Sequence, residues 1–523
     1  MRRQLLFGFA LGLLGASRVA HAAEPVTGEA TGDEWTPADE ERRAPHHARS
    51  LLEMGSGLGL GATAYWIFQD RNVADWDNPR PEERFQSAAW ILDNNSLGVN
   101  YLGHPLTGGL SYSFARANHH GVLVSSGYSF VTSFLWEFVL EFKEKVSIND
   151  VIVTPGAGLP IGEFVYKLGL YLDTGDGEST AVAVARWTLG TGVALDRSLD
   201  GRAAPKVMRR DNLGFSRAIW HEFAARYGVS AVDTPNRQGY ARYHGGVSGR
   251  LVTLPGYLAA RSFGRAFHGA EISDFSLEIE GSRYGAGVLL SADTMLVGYH
   301  AQRLRREQGG LRGVAVTLGS SLGWGYLKSS ANRYYQVEDA VRQPEPKLSY
   351  HVPQRQEQWS AFNMPGISAD FRSFAGWGGV TLSGRAAPSF GSIGAAAFYD
   401  WSAANLQERG KHILHRQGYF YGWGVASRVD ARLALGPVRA GFELGYATYA
   451  SQDGWDRHIE QVTVDVPAQG SLLTYRGSLG VAPASRAVTV SLELGVRRFQ
   501  SQVGGFERTA RSVERGVSAR WVF

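Results

Sequence analysis

The sequence predicts a mainly β fold, an antiparallel transmembrane β-barrel of about 12 strands, with an N-terminal helical module that plugs it or lies in the periplasm. Three observations carry this expectation. Apolar and polar residues alternate with a period of two over much of residues 212–523. The connections between those segments alternate between short and long. The other end of the chain opens with an export signal.

Arg2 and Arg3 precede the apolar run Leu5 to Leu14, followed by Ser17, Arg18 and the small-residue site Ala20-His21-Ala22. That order is a secretory signal peptide over residues 1–22, too short and wrongly flanked for a spanning helix. Residues 23–50 are rich in Glu, Asp, Thr, Pro and Ala, and bury too little apolar surface to offset their ordering entropy. They are expected as a flexible acidic linker. Residues 51–93 form an irregular lead-in, in which Leu51 to Phe68 fits helix or strand and Asp70 to Glu83 carries turn-forming residues.

A helical module is expected over residues 94–172. From about Ser125 to Lys145 the residues Ser129, Ser133, Glu137 and Glu141 recur every fourth position, a polar stripe on an apolar helix that Lys145 extends by pairing with Glu141. Ser147 to Asp150 has the form of a capping box, with Ser147 receiving amide protons and Asp150 near the positive helix end. Asp150, Thr154, Gly158 and Gly162 place small residues where another helix can approach. Pro155 and Pro160 predict a break, with helix resuming at Pro160 and Glu163 paired to Lys167. Residues 173–211 are a connector with room for one extra strand or helix.

The barrel is expected over residues 212–523. Val488, Val490, Leu492, Leu494 and Val496 alternate with Thr489, Ser491, Glu493, Gly495 and Arg497, and the stretches from Val438 and from Val314 do the same. Arg428, Arg432, Arg439 and Arg497 fall on the polar phase, which a wet lumen tolerates and lipid does not. Short turns are expected at Pro483 to Arg486, Gly436-Pro437 and Ala387 to Gly391. Long loops are expected at Ser501 to Arg511, Gln452 to Gly470, Asn405 to Arg416 and Ser329 to Ala369. The parity puts the short turns and the C-terminus in the periplasm. Trp324, Tyr326, Trp423, Tyr449, Phe499 and Trp521 suit interfacial girdles. The last segment, ending in Trp521 and Phe523, has the aromatic form of a membrane assembly signal read by the barrel assembly machinery.

Composition narrows the function. There are 65 glycines, aromatics make up 12% and cysteine is absent, which excludes disulfides, thiolate metal sites and cysteine nucleophiles. The net charge of +4 is spread among acidic residues, so nucleic acid is not an expected partner. Outer-membrane lipids and lipopolysaccharide are expected partners, with a small molecule or lipid as ligand.

The chemistry-bearing candidates lie in the helical module. His104 with Glu137, Glu141 or Asp150 supplies the groups of an acid/base site, and Ser129 or Ser133 a nucleophile, in a lipid hydrolase or acyltransferase. No GxSxG nucleophile elbow and no HExxH motif is present, since the GxSxG string Gly319 to Gly323 falls inside the alternating strand segment from Val314 to Trp324. That enzyme is the alternative to the first reading, a polar core of Asn100, Arg116, Trp136, Thr154, Gly158, Gly162 and Glu163 serving packing in a non-enzymatic transport, binding or scaffold protein. His119-His120 is expected in a solvated loop, and neither cofactor nor metal is expected. His104-Pro105, Trp136-Glu137, Glu141, Asp150, Gly158 and Gly162-Glu163 together resemble an uncharacterised bacterial family catalogued as domain of unknown function 3943, over Asn94 to Leu172. The resemblance implies exported proteins with a helical core of this kind, and no particular chemistry.

Overall fold

The computed structural model describes residues 35–523 apart from 69–77, 87–88, 94, 96, 176–178, 236, 309, 332–357, 409–418, 453–465 and 484–486. The expected signal peptide and the start of the expected linker lie outside the described residues. The barrel strands are β1 (Trp220–Thr234), β2 (Arg237–Val252), β3 (Ile272–Ser282), β4 (Gly285–Glu307), β5 (Gly310–Ala331), β6 (Gln358–Ala375), β7 (Gly378–Gly394), β8 (Tyr419–Leu435), β9 (Val438–Ser451), β10 (Ala468–Val481), β11 (Val488–Val503) and β12 (Phe506–Val522). Ser262–Phe267 pairs with β4 in line with β3, as a detached arm of that strand. All neighbours are antiparallel, and β12 pairs with β1, so a closed barrel of 12 strands results. Closure leaves each of the twelve barrel strands paired on both sides, as a wall facing hydrocarbon requires.

The two-residue period divides the wall into two faces. Glu222, Arg250, Asp274, Glu278, Arg432 and Arg476 point into the lumen, where they meet partners from strands across the barrel. Tyr243, Val247, Leu318, Phe442, Leu492 and Val517 sit on the opposite phase and are exposed. The connections 376–377 and 436–437 mark the turn end of the barrel, and 395–418 and 452–467 its loop end.

Among the described residues six helices of nine residues or more precede the barrel: α1 (His47–Phe68), α2 (His104–Ala117), α3 (Val122–Leu135), α4 (Ile148–Asp173), α5 (Thr180–Leu189) and α6 (Thr191–Leu199). Five-residue π turns, Val99–Gly103 and Trp136–Leu140, precede α2 and extend α3. The bundle α1–α4 neither plugs the lumen nor hangs below the barrel. It packs on the outer wall. Phe164 stacks on Phe275 at 5.3 Å, and Phe275 shares its strand phase with the exposed Ile279, opposite to Glu278 and Glu280, which pair across the lumen. Tyr171 packs against His221 and Phe223 at the turn end, while Phe362 meets Gly156 near the loop end. The α4 axis therefore runs the height of the wall. Alternation in the sequence shows that two faces exist; it does not show which one the helices cover.

Glycine sets the spacing of the bundle. A Cβ on Gly158 would stand 2.6 Å from the Gly108 carbonyl carbon, and one on Gly162 2.5 Å from the Gly109 carbonyl oxygen. The close approach lets Arg116 Nε donate to Glu163 Oε2 at 2.9 Å, with Tyr112 Oη donating to the same oxygen at 2.7 Å. Lys167, 3.6 Å from Glu163, donates to Ser273 Oγ at 2.9 Å and to the Ala270 carbonyl, tying α4 to β3.

Several expectations need correction. Residues 35–50 are not a flexible linker: Trp35 Nε1 donates to Glu40 Oε1 at 3.1 Å, Arg202 pairs with Glu40 and Arg49 with Asp196, a tertiary effect that composition does not show. Leu51 to Phe68 is helix, in a lead-in expected to be irregular, and the connector holds α5 and α6. The polar-stripe helix ends before Glu141, so Lys145 does not extend it. Ser147 is the N-cap of α4, yet its side chain makes no capping bond; its N–H donates to Glu137 Oε2 at 3.2 Å. Helix α4 runs unbroken through Pro155 and Pro160, because packing on α2 and the wall offsets a proline penalty of about 3 kcal/mol each. Ala387 to Gly391 is no turn but the interior of β7 beside a bulge, the one sheet environment that suits Pro388. Ser501 to Arg511 is no long loop: β11 and β12 meet at Gly504-Gly505, both with positive φ as a tight hairpin demands. Ser329–Ala331 and Gln358 to Ala369 are strand, not loop. Trp324 and Tyr326 are buried on the wall, and Tyr449 and Phe499 turn inward rather than joining a girdle.

A Gly158→Leu variant is expected to lose about 1–3 kcal/mol or more by forcing α2 and α4 apart. Urea unfolding in detergent checks this, and unchanged stability would show that the crossing is not tight.

Candidate functional site

Three helices converge at the loop end of the bundle. His104 opens α2 directly after one π turn, Glu137 lies within the other, and Asp150 sits in the first turn of α4. His104 Nε2 is 3.7 Å from Asp150 Oδ2, and one donor atom from each of the three residues lies within 4.8 Å of the others. His104 follows one π turn and Glu137 lies inside the other, departures from α-helical geometry at the point where both side chains approach Asp150.

A polar network supports this cluster. Asn149 Nδ2 donates to Asp150 Oδ1 at 2.9 Å and to Asp93 Oδ1 at 3.0 Å. Asp93 also accepts from Asn100 and, at 3.0 Å, from the Tyr421 hydroxyl of β8. Tyr419 Oη donates to the Asn95 carbonyl. Arg84 is buried and donates to the Glu137, Phe138 and Glu144 carbonyls, so its guanidinium serves backbone.

Of the sequence candidates, His104, Glu137 and Asp150 therefore meet. Ser133 is adjacent, but its hydroxyl donates to the Asp150 carbonyl at 3.0 Å, and Ser129 does the same to Gly108. Neither is poised as a nucleophile. Glu141 neighbours Glu137 but is not one of the three, and it accepts from Trp136 Nε1 at 2.8 Å. Asn100 joins the Asp93 network, Arg116 and Glu163 form the interhelical pair, and Thr154, Gly158 and Gly162 line the crossing with α2. Asp93, Asn149, Arg84, Tyr419 and Tyr421 were missed. The closely spaced Asn149-Asp150 pair was a usable signal; Tyr421 lies 328 residues from Asp93 and gave none.

A second cluster occupies the turn end. His119, expected in a solvated loop with His120, is buried with φ 67°, and His120 Nε2 lies 3.0 Å from Ser50 Oγ. His119 stands 3.8 Å from Glu40 and 3.6 Å from Asp196. Arg49 and Arg202 bind Asp196 and Asp200 directly. Burial, opposed by Glu40 and aided by Arg202, pushes the His119 pKa down to about 4. The unfolded chain takes up this proton near pH 6.5, before the folded chain does, so stability falls as pH drops from about 6.5 toward 4 and is full above that window. His119→Gln should flatten the urea-midpoint profile there; an unaltered profile would remove His119 as its source.

Residues 89–191 match a family model described as Domain of unknown function (DUF3943). No curated protein matches the chain. Among solved structures, the β domain of the Bordetella autotransporter BrkA is 9% identical, with 58% of this chain and 99% of that chain covered at a TM-score of 0.22. The translocator domain of autotransporter NalP from Neisseria meningitidis is 8% identical, with 58% and 88% covered at 0.19. The Vibrio cholerae outer membrane protein OmpT is 8% identical, with 58% and 99% covered at 0.20. These identities and scores are too low to carry a function across. The chain thus joins a segment matching this domain of unknown function, residues 89–191, to a closed 12-stranded barrel.

Proposed function

We propose that this is a non-conducting outer-membrane barrel whose attached helical bundle shares the bilayer, serving as an envelope scaffold or binding protein. The observation that carries the reading is the set of ion pairs across the lumen. Arg250 of β2 reaches Asp370 of β6 at 2.7 Å, Arg432 of β8 reaches Glu222 of β1 at 3.0 Å, and Arg476 of β10 reaches Glu278 of β3 at 3.1 Å. Arg497 of β11 reaches Glu280 of β3 at 3.0 Å. Cavities of about 160 and 290 Å³ remain between these layers. Phe398 and Trp401 are buried against Phe420 and Phe499 at the loop end, and Leu254, Tyr257 and Leu258 against Val252 and Ile272 at the turn end. An open pore needs a continuous wet path.

The bundle's free surface supports its place in lipid. Leu110, Leu123, Phe130, Val131 and Val139 are exposed, Leu123 by 85%, and Val122–Leu140 is long and apolar enough to cross a bilayer. In this reading the turn end faces the periplasm, lipids and lipopolysaccharide surround wall and bundle, and the barrel assembly machinery inserts the chain. A small molecule or lipid would bind at the loop-end cluster.

A second reading, a lipid-modifying enzyme, is favoured by the His104–Asp150 contact with Glu137 within reach. Lipid profiles should change on expression and revert with His104→Ala or Glu137→Gln at equal barrel level if this reading holds. Unchanged profiles would count against it.

In planar bilayers the purified protein is expected to be silent. Removing Arg250, Asp370, Arg476 and Glu278 together, each to Ser, is expected to produce flickering conductance. A steady channel from the unaltered protein would overturn the sealed-lumen reading.

A further inference from the structure

We propose that His104, Glu137 and Asp150 form a binding site for one first-row divalent cation, which clasps α2, α3 and α4 at the loop end. Geometry comes first. The three side chains come from three helices, and the 3.7 Å between His104 Nε2 and Asp150 Oδ2 is close to the roughly 3.4 Å separating two donors about 2.1 Å from one tetrahedral ion. The third donor stands within 4.8 Å of both, a gap that side-chain rotation closes.

Charge points the same way. Asp93, Glu137 and Asp150 are all at most 2% exposed. Among the described residues no Arg or Lys forms a salt bridge with Asp93 or Glu137, and the nearby Arg84 is engaged by backbone carbonyls. Such a concentration of buried carboxylates is costly without a compensating cation. Glu163 in the same bundle shows the contrast, because Arg116 and Lys167 both attend it.

The surrounding groups orient the donors as metal sites require. Glu137 is held through Oε2 by the Ser147 N–H, and Asp150 through Oδ1 by Asn149, which leaves Asp150 Oδ2 facing His104. Asn149 is fixed in turn by Asp93, and Asp93 by Tyr421 of the barrel. Asn100 Oδ1, fully buried in this network, makes no hydrogen bond. The donor set, one imidazole nitrogen and two carboxylate oxygens, suits Mn²⁺, Fe²⁺ or Zn²⁺ rather than thiophilic ions. Three protein ligands leave a coordination position for water or another ligand. The His104 side chain, 18% exposed, provides the way in. The turn-end group of His46, His119, Asp196 and Asp200 is not equivalent, since Arg49 and Arg202 already neutralise its carboxylates.

The test uses the full chain in detergent, stripped with EDTA and then exposed to Mn²⁺ or Zn²⁺. Metal retained after gel filtration is counted by mass spectrometry, and bound Mn²⁺ is examined by pulsed electron paramagnetic resonance. One equivalent is expected, with ¹⁴N coupling from one imidazole. Glu137→Gln, Asp150→Asn and His104→Ala should each weaken binding by at least roughly 10–100-fold with the barrel still heat-modifiable, whereas Asp200→Asn should not. Retention by the unaltered chain no better than by Asp150→Asn, or equal loss in Asp200→Asn, would overturn the site. Should the variants fail to fold, the unaltered protein still decides: bound Mn²⁺ without nitrogen coupling, or no bound Mn²⁺ or Zn²⁺, would contradict it.

Discussion

The architecture depends on the ion pairs that cross the lumen. A closed barrel satisfies every strand with its neighbours, and alternation then sends half of the side chains inward. In this chain many of those are Arg, Asp and Glu, and they reach one another from strands on opposite sides of the barrel. Removing one partner of a pair as buried as Arg497 and Glu280 costs about 3–5 kcal/mol, and the more exposed pairs add to the same register and filled interior. With the lumen occupied by charge, no room is left there for a helical plug.

That constraint places the helices. An apolar bundle excluded from the lumen can bury itself on the outer wall, and α4 does so from Phe362 at one end to His221 and Phe223 at the other. The wall accommodates it with small or aromatic residues, such as Gly249 beneath Phe164 and Phe275 stacked on the same ring. The Arg116–Glu163–Lys167 chain then serves both contacts, joining α2 to α4 on one side and α4 to β3 on the other. Polar groups at the loop end extend the same logic, with Tyr419 and Tyr421 of β8 supplying hydroxyls to the segment around Asp93.

Much of the wall was legible in the sequence because a strand declares itself locally. Val488 to Val496 alternate apolar and polar, and the structure gives β11 there with Leu492 and Leu494 on the exposed phase. Pro388 and Gly391 misled because proline and glycine serve bulges as well as turns, and only the neighbouring strand distinguishes them. Helix α4 misled for a related reason: two prolines argue locally for a break, while the packing that overrides them involves residues far away in sequence. At the candidate site, residue types were readable but partners were not. His104, Glu137 and Asp150 stood out as polar groups in apolar surroundings, yet their meeting depends on two π turns that no spacing rule announces.

The central claim, that the bundle lies on the outer wall and not in the lumen, is open to a direct measurement because the chain has no native cysteine to interfere. Phe164→Cys can be combined with Phe275→Cys on the outer phase of β3, or with Ser276→Cys on its inner phase, and each pair oxidised in the folded, membrane-inserted protein. A rapid disulfide is expected for the first pair and none for the second. A disulfide only with Ser276→Cys would put the helix inside the barrel and contradict the claim.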